Sequence, residues 1–567
     1  MSSCGFLPSL LVLGLSLPLA AQVSFNSTTY PSTPDQSLNL PAAVDIDRDG
    51  NADLILSDSS NPQVVVYYGT GEGKFGSPEI VGNLDGATGD LAVGDFNGDG
   101  KLDILTIAGN HEVDLLLNDG SRTFSKNTIS TPDLPTYLAV GDFNNDGKLD
   151  FALSSYSINL SKNYIQIYLG NGDGTFTTAT QFTVPQSTYK LVAADLNQDG
   201  KIDLLNVANP TTVFLNSGGA TFTAAQNISV PNGGTYVWVA IGGLNGDTAP
   251  DLFLTNNQFC GEGCGWIKSL DSWVNDGTGH FTLKQSLQPI NASSDAYGVL
   301  GDLNYDGKLD MVFEADNTLE YALGKGDGTF GSVHQLGSLN GQYSDSYTPL
   351  LAHDLNNDGL MDIVSTDSAS ILVELNTSAK PDCVPPSSSS VGSTICSLAS
   401  GQKVNSTFPV RAAANGPLDI WRMEEWLDGK KVYQALSNQM RNNVTTTVGS
   451  HTLTIATIDV LNNVAKKSIS FTTISCTAPA SAGVRICTPT SGSTDSSPVS
   501  VVAASSPASG TSIASIRLYV DSISTSTASG SRMSTSVSLS AGTHHLSVVA
   551  YEKNGGALKA SETITVH

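Results

Sequence analysis

Apolar residues along this chain fall into short runs and two-residue alternations, never into the long 3.6-period stripes of amphipathic helices. A recurrent order is visible through the first two-thirds. An apolar segment such as residues 91–93 or 191–193 precedes a polar turn, and a β-rich run such as 104–107, 204–207 or 311–313 follows it. A third run comes next, as at 64–68 or 164–168. A Gly-rich turn then leads to a Phe that opens a fourth: Phe75, Phe124, Phe176, Phe222, Phe281 and Phe330. Aromatic and β-branched residues bounded by Gly, Asn and Asp predict strands joined by tight turns.

The polar turn between the first two predicted strands is a nine-residue motif with seven copies. They begin at Asp45, Asp95, Asp142, Asp195, Gly243, Asp302 and Asp354, and are called loops 1 to 7 below. A period of roughly 50 residues with four short strands per unit predicts the blades of a β-propeller. Only six Gly-Phe fourth strands follow the seven motifs. The missing one is expected from the N-terminal segment at residues 23–27, which would pair with the last unit and leave no free sheet edge. Residues 22–378 are therefore read as a seven-bladed propeller.

Positions 1, 3, 5 and 9 of the motif carry carboxylate or amide oxygens, the ligands of a hard cation. Position 6 is Gly in six copies, which permits a sharp turn. Position 2 is always large and apolar (Ile46, Phe96, Phe143, Leu196, Leu244, Leu303 and Leu355) and is expected to anchor the loop. An EF-hand would need Glu at position 12, where this chain has Leu56, Thr106, Leu153, Asn206, Leu254, Phe313 and Ser365. With the Gly-x-Gly-x-Phe turns, these motifs resemble the FG-GAP or VCBS repeats of integrin α chains and many secreted bacterial proteins.

The resemblance implies calcium held by each complete loop. Its ligands would be Asp45, Asp47, Asp49 and Asp53; Asp95, Asn97, Asp99 and Asp103; and Asp142, Asn144, Asp146 and Asp150. They continue with Asp195, Asn197, Asp199 and Asp203; Asp302, Asn304, Asp306 and Asp310; and Asp354, Asn356, Asp358 and Asp362. Loop 5 departs from the pattern, with Gly243 for the first Asp and Thr248 for the Gly, and is expected to be weak or empty. About six Ca2+ sites remain.

Composition narrows the function. Acidic residues number 53 against 27 Lys and Arg, so phosphate backbones are repelled and nucleic acid is not an expected partner. Residues 1–21 carry no charged side chain and read as a signal peptide, placing the chain outside the cell or in a periplasm. No later stretch approaches the ~20 apolar residues of a membrane span. Six of the seven cysteines form close pairs, Cys260 with Cys264, Cys383 with Cys396 and Cys476 with Cys487, and local disulfides suit export. The first pair lies in an insertion between the second and third strands of the fifth unit, beside Trp266 and Trp273. That insertion is expected to project from the face opposite the motif loops, with the two Trp side chains as an exposed recognition patch.

After residue 378 the composition turns Pro- and Ser-rich, and two segments then align with each other. Cys383 matches Cys476, Asp428 matches Asp521, and His451 matches His544. Residues 379–474 and 475–567 are read as two β-sandwiches resembling bacterial immunoglobulin-like domains. The eight His residues are scattered and form no HExxH or triad order. The whole is read as all-β and non-catalytic, a secreted monomeric adhesion protein with a protein or glycan ligand. The alternatives are a lectin-type propeller and an accessory or polysaccharide-degrading enzyme.

Overall fold

The computed structural model describes residues 23–31, 38–58, 60–86, 88–109, 111–231, 233–259, 266–288, 297–315, 318–338, 350–366, 370–378 and 383–567. The expected signal peptide and the Cys260–Cys264 pair lie outside these residues. Among them every regular element is a strand. No helix there is long and apolar enough to cross a membrane.

Seven four-stranded antiparallel sheets form the first two-thirds. Six are sequential meanders, such as Thr88–Gly94, Asp103–Ala108, Glu112–Gly120 and Thr123–Ser130 in the second sheet. The seventh contains Leu350–His353, Asp362–Thr366 and Ser370–Asn376, and is completed by the N-terminal strand Phe25–Pro31. That strand pairs from Phe25 opposite Asn376 to Pro31 opposite Ser370. The first strands of successive sheets touch in chain order, and that of the seventh touches that of the first, so the sheets stand in a ring. The core lies between neighbouring sheets. For example, Phe96, Leu105 and Leu115 of the second sheet pack on Leu138, Phe151 and Tyr168 of the third. Position 2 of every loop is buried in these layers, from Leu196 and Leu303 at 0% exposure to Leu244 at 4%.

A second set of contacts seals sheet to sheet. Asn118, at the end of a third strand, donates from Nδ2 to Ile46 O in the preceding sheet and to Leu102 O in its own. Asn216, Asn275 and Asn376 repeat this with Phe143 O, Leu196 O and Leu303 O. The other three sheets have Gly69, Gly170 and Gly324 at this place. A Cβ at Gly170 would sit 2.1 Å from Leu149 O, so the close approach of backbones requires Gly.

Residues 383–567 form two sandwiches with identical strand order. Each pairs a three-stranded sheet with a five-stranded one, the first around Phe408, Met423 and Phe471, the second around Ile516, Leu518 and Val548. The expected disulfides Cys383–Cys396 and Cys476–Cys487 are formed. The aligned His and Asp residues are also explained. His451 Nδ1 lies 2.7 Å from Asp428 Oδ2 and its Nε2 lies 2.8 Å from Thr447 O. His544 stands equally, 2.7 Å from Asp521 Oδ2 and 2.9 Å from Ser540 O. Both ring nitrogens face acceptors, an arrangement that favours the protonated ring, and the hydrogen bond to Asp raises both imidazoles above their ordinary 6.5.

Two outcomes are expected. Asn118→Ala leaves two buried carbonyls without a donor and costs about 2 kcal/mol, read as a lower denaturation midpoint. Separately, the stability that His451 and His544 contribute is fully present below pH 6.5 and is lost as pH rises through their raised folded values. The sandwiches should therefore melt earlier in mildly alkaline than in mildly acidic buffer. The H451Q/H544Q double variant should flatten that slope, and calorimetry across the range checks it.

Candidate metal loops and the face they build

Each loop is a lattice of backbone N–H groups donating to its own side-chain oxygens. In loop 1, Asp49 N donates to Asp45 Oδ1 at 3.0 Å and to Asp47 Oδ1 at 3.1 Å. Gly50 N reaches Asp45 Oδ2 at 2.9 Å, and Asn51 N reaches Asp49 Oδ1 at 2.8 Å. The same contacts recur in loops 3, 4, 6 and 7. In loop 2 the donor to Asp95 Oδ1 is Gly98 N in place of the position-5 N–H. The expected turn at position 6 is present, with φ from 83° at Gly147 to 94° at Gly50. Position 4 is also left-handed in all seven loops, at Arg48, Gly98, Asn145, Gln198, Gly246, Tyr305 and Asn357. The sequence hid this requirement, because only two of those residues are Gly and the others pay no visible pattern.

The position-9 carboxylates are wholly buried, at 0% exposure for Asp53, Asp103, Asp150, Asp203, Asp251, Asp310 and Asp362. Each accepts two backbone N–H groups. Asp53 takes Ile46 N at 2.9 Å from its own loop and Gly69 N at 2.7 Å from the end of the third strand. Asp103 takes Phe96 N and Asn118 N, and Asp362 takes Leu355 N and Asn376 N. These residues thus clamp loop to sheet, a role beyond the ligand role expected of them. Burial, the largest cause, pushes Asp53 and Asp310 up to about 7 and Asp103, Asp150 and Asp203 up to about 6. The charges of neighbouring loop carboxylates add to the rise; for Asp103 they come from Asp95 and Asp99.

The first and third positions of loops 1, 3, 4, 6 and 7 share a backbone donor, while the position-9 carboxylate is turned to its clamp. In loop 1 one carboxylate oxygen from each of Asp45, Asp47 and Asp49 lies within 4.8 Å of the others. Such a set of hard oxygens fits a divalent cation, which would relieve the crowded charge. Fixed cations already stand nearby. Arg122, from the next sheet, places Nη2 2.8 Å from Asp47 Oδ2, and Lys201 Nζ lies 2.7 Å from Asp199 Oδ2.

The loop face carries the first sandwich. Leu418 is buried among Val44, Ile46, Val93 and Leu102, and Trp421 packs against the core between the fourth and fifth sheets. Asp45 N donates to Pro417 O at 3.1 Å, and Gln434 Nε2 donates to Thr248 O at 3.1 Å. At loop 5 the sandwich leaves little room for a first carboxylate. A Cβ at Gly243 would meet Leu436 Cβ of the sandwich at 3.3 Å. Loop 5 keeps its clamp, Asp251 accepting Leu244 N and Asn275 N, both at 2.8 Å.

Trp273 departs from expectation. It is 9% exposed and packed between the fourth and fifth sheets, its indole N–H donating to Tyr236 OH at 3.1 Å. Tyr236 in turn donates to Asp271 Oδ2 at 2.6 Å. Alternation along Trp266–Asn275 turns this side chain inward, so Trp273 belongs to the core and not to a recognition patch. The Trp266 side chain lies outside the described residues.

A ring of four-stranded antiparallel sheets, with oxygen-rich loops joining first and second strands, defines a β-propeller. Residues 45–106, 103–153, 156–206, 195–254 and 302–365 match the family model described as FG-GAP-like repeat, and the chain carries five such repeats across residues 45–365. No curated protein sequence matches the chain. Among solved structures it is similar to an Agrocybe aegerita lectin that recognises non-reducing terminal N-acetylglucosamine. That similarity has 20% identity and TM-score 0.40, covering 54% of this chain and 81% of that one. The N-terminal part of BBS1 in complex with ARL6 is similar at 9% identity and TM-score 0.43, over 62% of this chain and 96% of that one. The Neurospora crassa Pan2 WD40 domain is similar at 10% identity and TM-score 0.41, over 61% and 93%.

Gly243→Asp, which restores the motif's first carboxylate, is expected to lower the melting temperature, because Leu436 fills that space. A calorimetric scan checks it, and an unchanged or higher value would refute the steric account.

Proposed function

We propose, from the FG-GAP-like repeats, a β-propeller protein of the ligand-binding type. On this reading it is an extracellular adhesion protein without catalysis, whose loops 1, 2, 3, 4, 6 and 7 hold calcium that stiffens the propeller. The observation carrying this reading is the convergence of Asp45, Asp47 and Asp49 oxygens within 4.8 Å, in a loop design repeated around the ring. The net charge of −26 and the two formed disulfides agree with a cation-loaded, exported chain.

Since the first sandwich covers part of the loop face, the ligand is assigned to the opposite face. There the turn between Asp150–Ser157 and Lys162–Gly170 exposes Ile158 at 65% and Leu160 at 62%, with Tyr156 at 37% beside it. Tyr189, 43% exposed, opens the next sheet at the same end.

Calcium in the millimolar range of extracellular modules is expected to raise the melting temperature, and EGTA to lower it. At a hundredfold excess over Kd, each independent site adds about 2.7 kcal/mol. Coincident melting curves with calcium and with EGTA would refute structural calcium. For the ligand, a glycan array that stays silent while Y156A/Y189A weakens attachment to an extracellular protein surface supports adhesion. Multivalent glycan signal would replace it with the lectin reading.

A further inference from the structure

The loops differ in what stands over them. In loops 1, 6 and 7 the first carboxylate is buried, Asp45 at 1% and Asp302 and Asp354 at 3% exposure. In loops 2, 3 and 4 the equivalent Asp95, Asp142 and Asp195 are partly open. The difference comes from the first sandwich and the segment leading into it. Over loop 1, Ser388 Oγ lies 3.5 Å from Asp45 Oδ2, and Pro417 O takes Asp45 N. Over loop 6, Tyr305 OH donates to Cys383 O at 3.1 Å and accepts from Cys383 N at 3.0 Å, while the Arg441 guanidinium stacks 4.0 Å from the Tyr305 ring. Over loop 7, Asn415 Nδ2 donates to Asn357 Oδ1 at 2.6 Å, and Gln439 Nε2 donates to Gly359 O.

The position-6 glycines report the same division independently. A Cβ at Gly100, Gly147 or Gly200 would meet nothing within 4 Å. At Gly50 it would meet Ser387, and at Gly307 it would meet Arg441. Loops 6, 7 and 1 are consecutive around the ring, and Asn357 Nδ2 of loop 7 also donates to Gly50 O of loop 1 at 3.0 Å. Position 4, the left-handed residue that shapes each loop, is itself the contact in two of them: Tyr305 and Asn357.

We infer that loops 1, 6 and 7 are the cation-sensitive part of the docking surface for the first sandwich, which also rests on loop 5 and on Leu102 of loop 2, so that divalent cation binding in these three loops and docking of the sandwich strengthen each other. Loops 2, 3 and 4 bind cation without this coupling. The inference rests on the calcium reading above. The backbone shape that gathers oxygens for the ion is the shape that presents Asp45 N, the Tyr305 ring and Gly359 O to the sandwich. Crowded carboxylates without an ion disfavour that shape, and by linkage whatever docking adds to cation affinity, the cation adds to docking.

The test uses the full chain and the position-5 residues, exposed except for the half-buried Asp358. One triple variant is D49A/D306A/D358A, in the covered loops; the other is D99A/D146A/D199A, in the open loops. Equilibrium dialysis gives calcium stoichiometry, and amide hydrogen exchange reads protection across residues 416–421 and 434–441 of the sandwich. In calcium, the covered-loop triple should lose protection in these segments by about tenfold, within the usual range of coupling between sites. The open-loop triple should match the wild type there. EGTA should bring wild type and open-loop triple down to the covered-loop level and add nothing to the covered-loop triple. Absence of bound calcium in the wild type would overturn the calcium reading itself. Calcium bound with equal protection in both triples, or a covered-loop effect that persists beyond wild type in EGTA, would overturn the coupling alone.

Discussion

The propeller hangs on a buried carboxylate that holds a loop to a strand, repeated once per sheet. At Asp53, Asp103, Asp150, Asp203, Asp251, Asp310 and Asp362, one oxygen fixes the second residue of the loop and the other fixes the end of the third strand. A charge placed in an apolar sheet interior is tolerable only when hydrogen bonds surround it. Once set, it orients the loop's other oxygens outward and frees the position-2 carbonyl for the next sheet. Loop geometry and the join between loop and third strand both depend on this one acceptor. Loop 5 shows that the clamp does not need the first carboxylate, since it keeps it with Gly243 where the others have Asp.

Much of this was legible in the residues. The period, the apolar position 2 and the Gly at position 6 located every loop between the correct strands, because each reports a local steric demand. The unpaired seventh unit likewise pointed to the N-terminal strand. Other features were hidden because they arise between elements far apart in sequence. Nothing near Leu418 or Trp421 says that they will enter a ring closed more than forty residues earlier. Gly243 looked like decay of a motif until Leu436 was seen beside it.

Trp273 illustrates the opposite error. Proximity to a Cys-Gly-rich insertion suggested exposure, yet strand alternation directs it inward to Tyr236. A large aromatic ring in a strand is more often core than surface, and its indole N–H found the partner that burial demands. The candidate contact surface therefore moves to the third sheet's far turn, where Ile158 and Leu160 face solvent.

The seam between Phe25–Pro31 and Ser370–Asn376 also sets a schedule for assembly. The strand synthesised first has no neighbour until nearly the whole ring exists, so it must wait, extended, while the other sheets collapse. Joining ends so distant along the chain is slow. The chain therefore emerges with its fastener leading and its clasp trailing, and the circle shuts only once both are present.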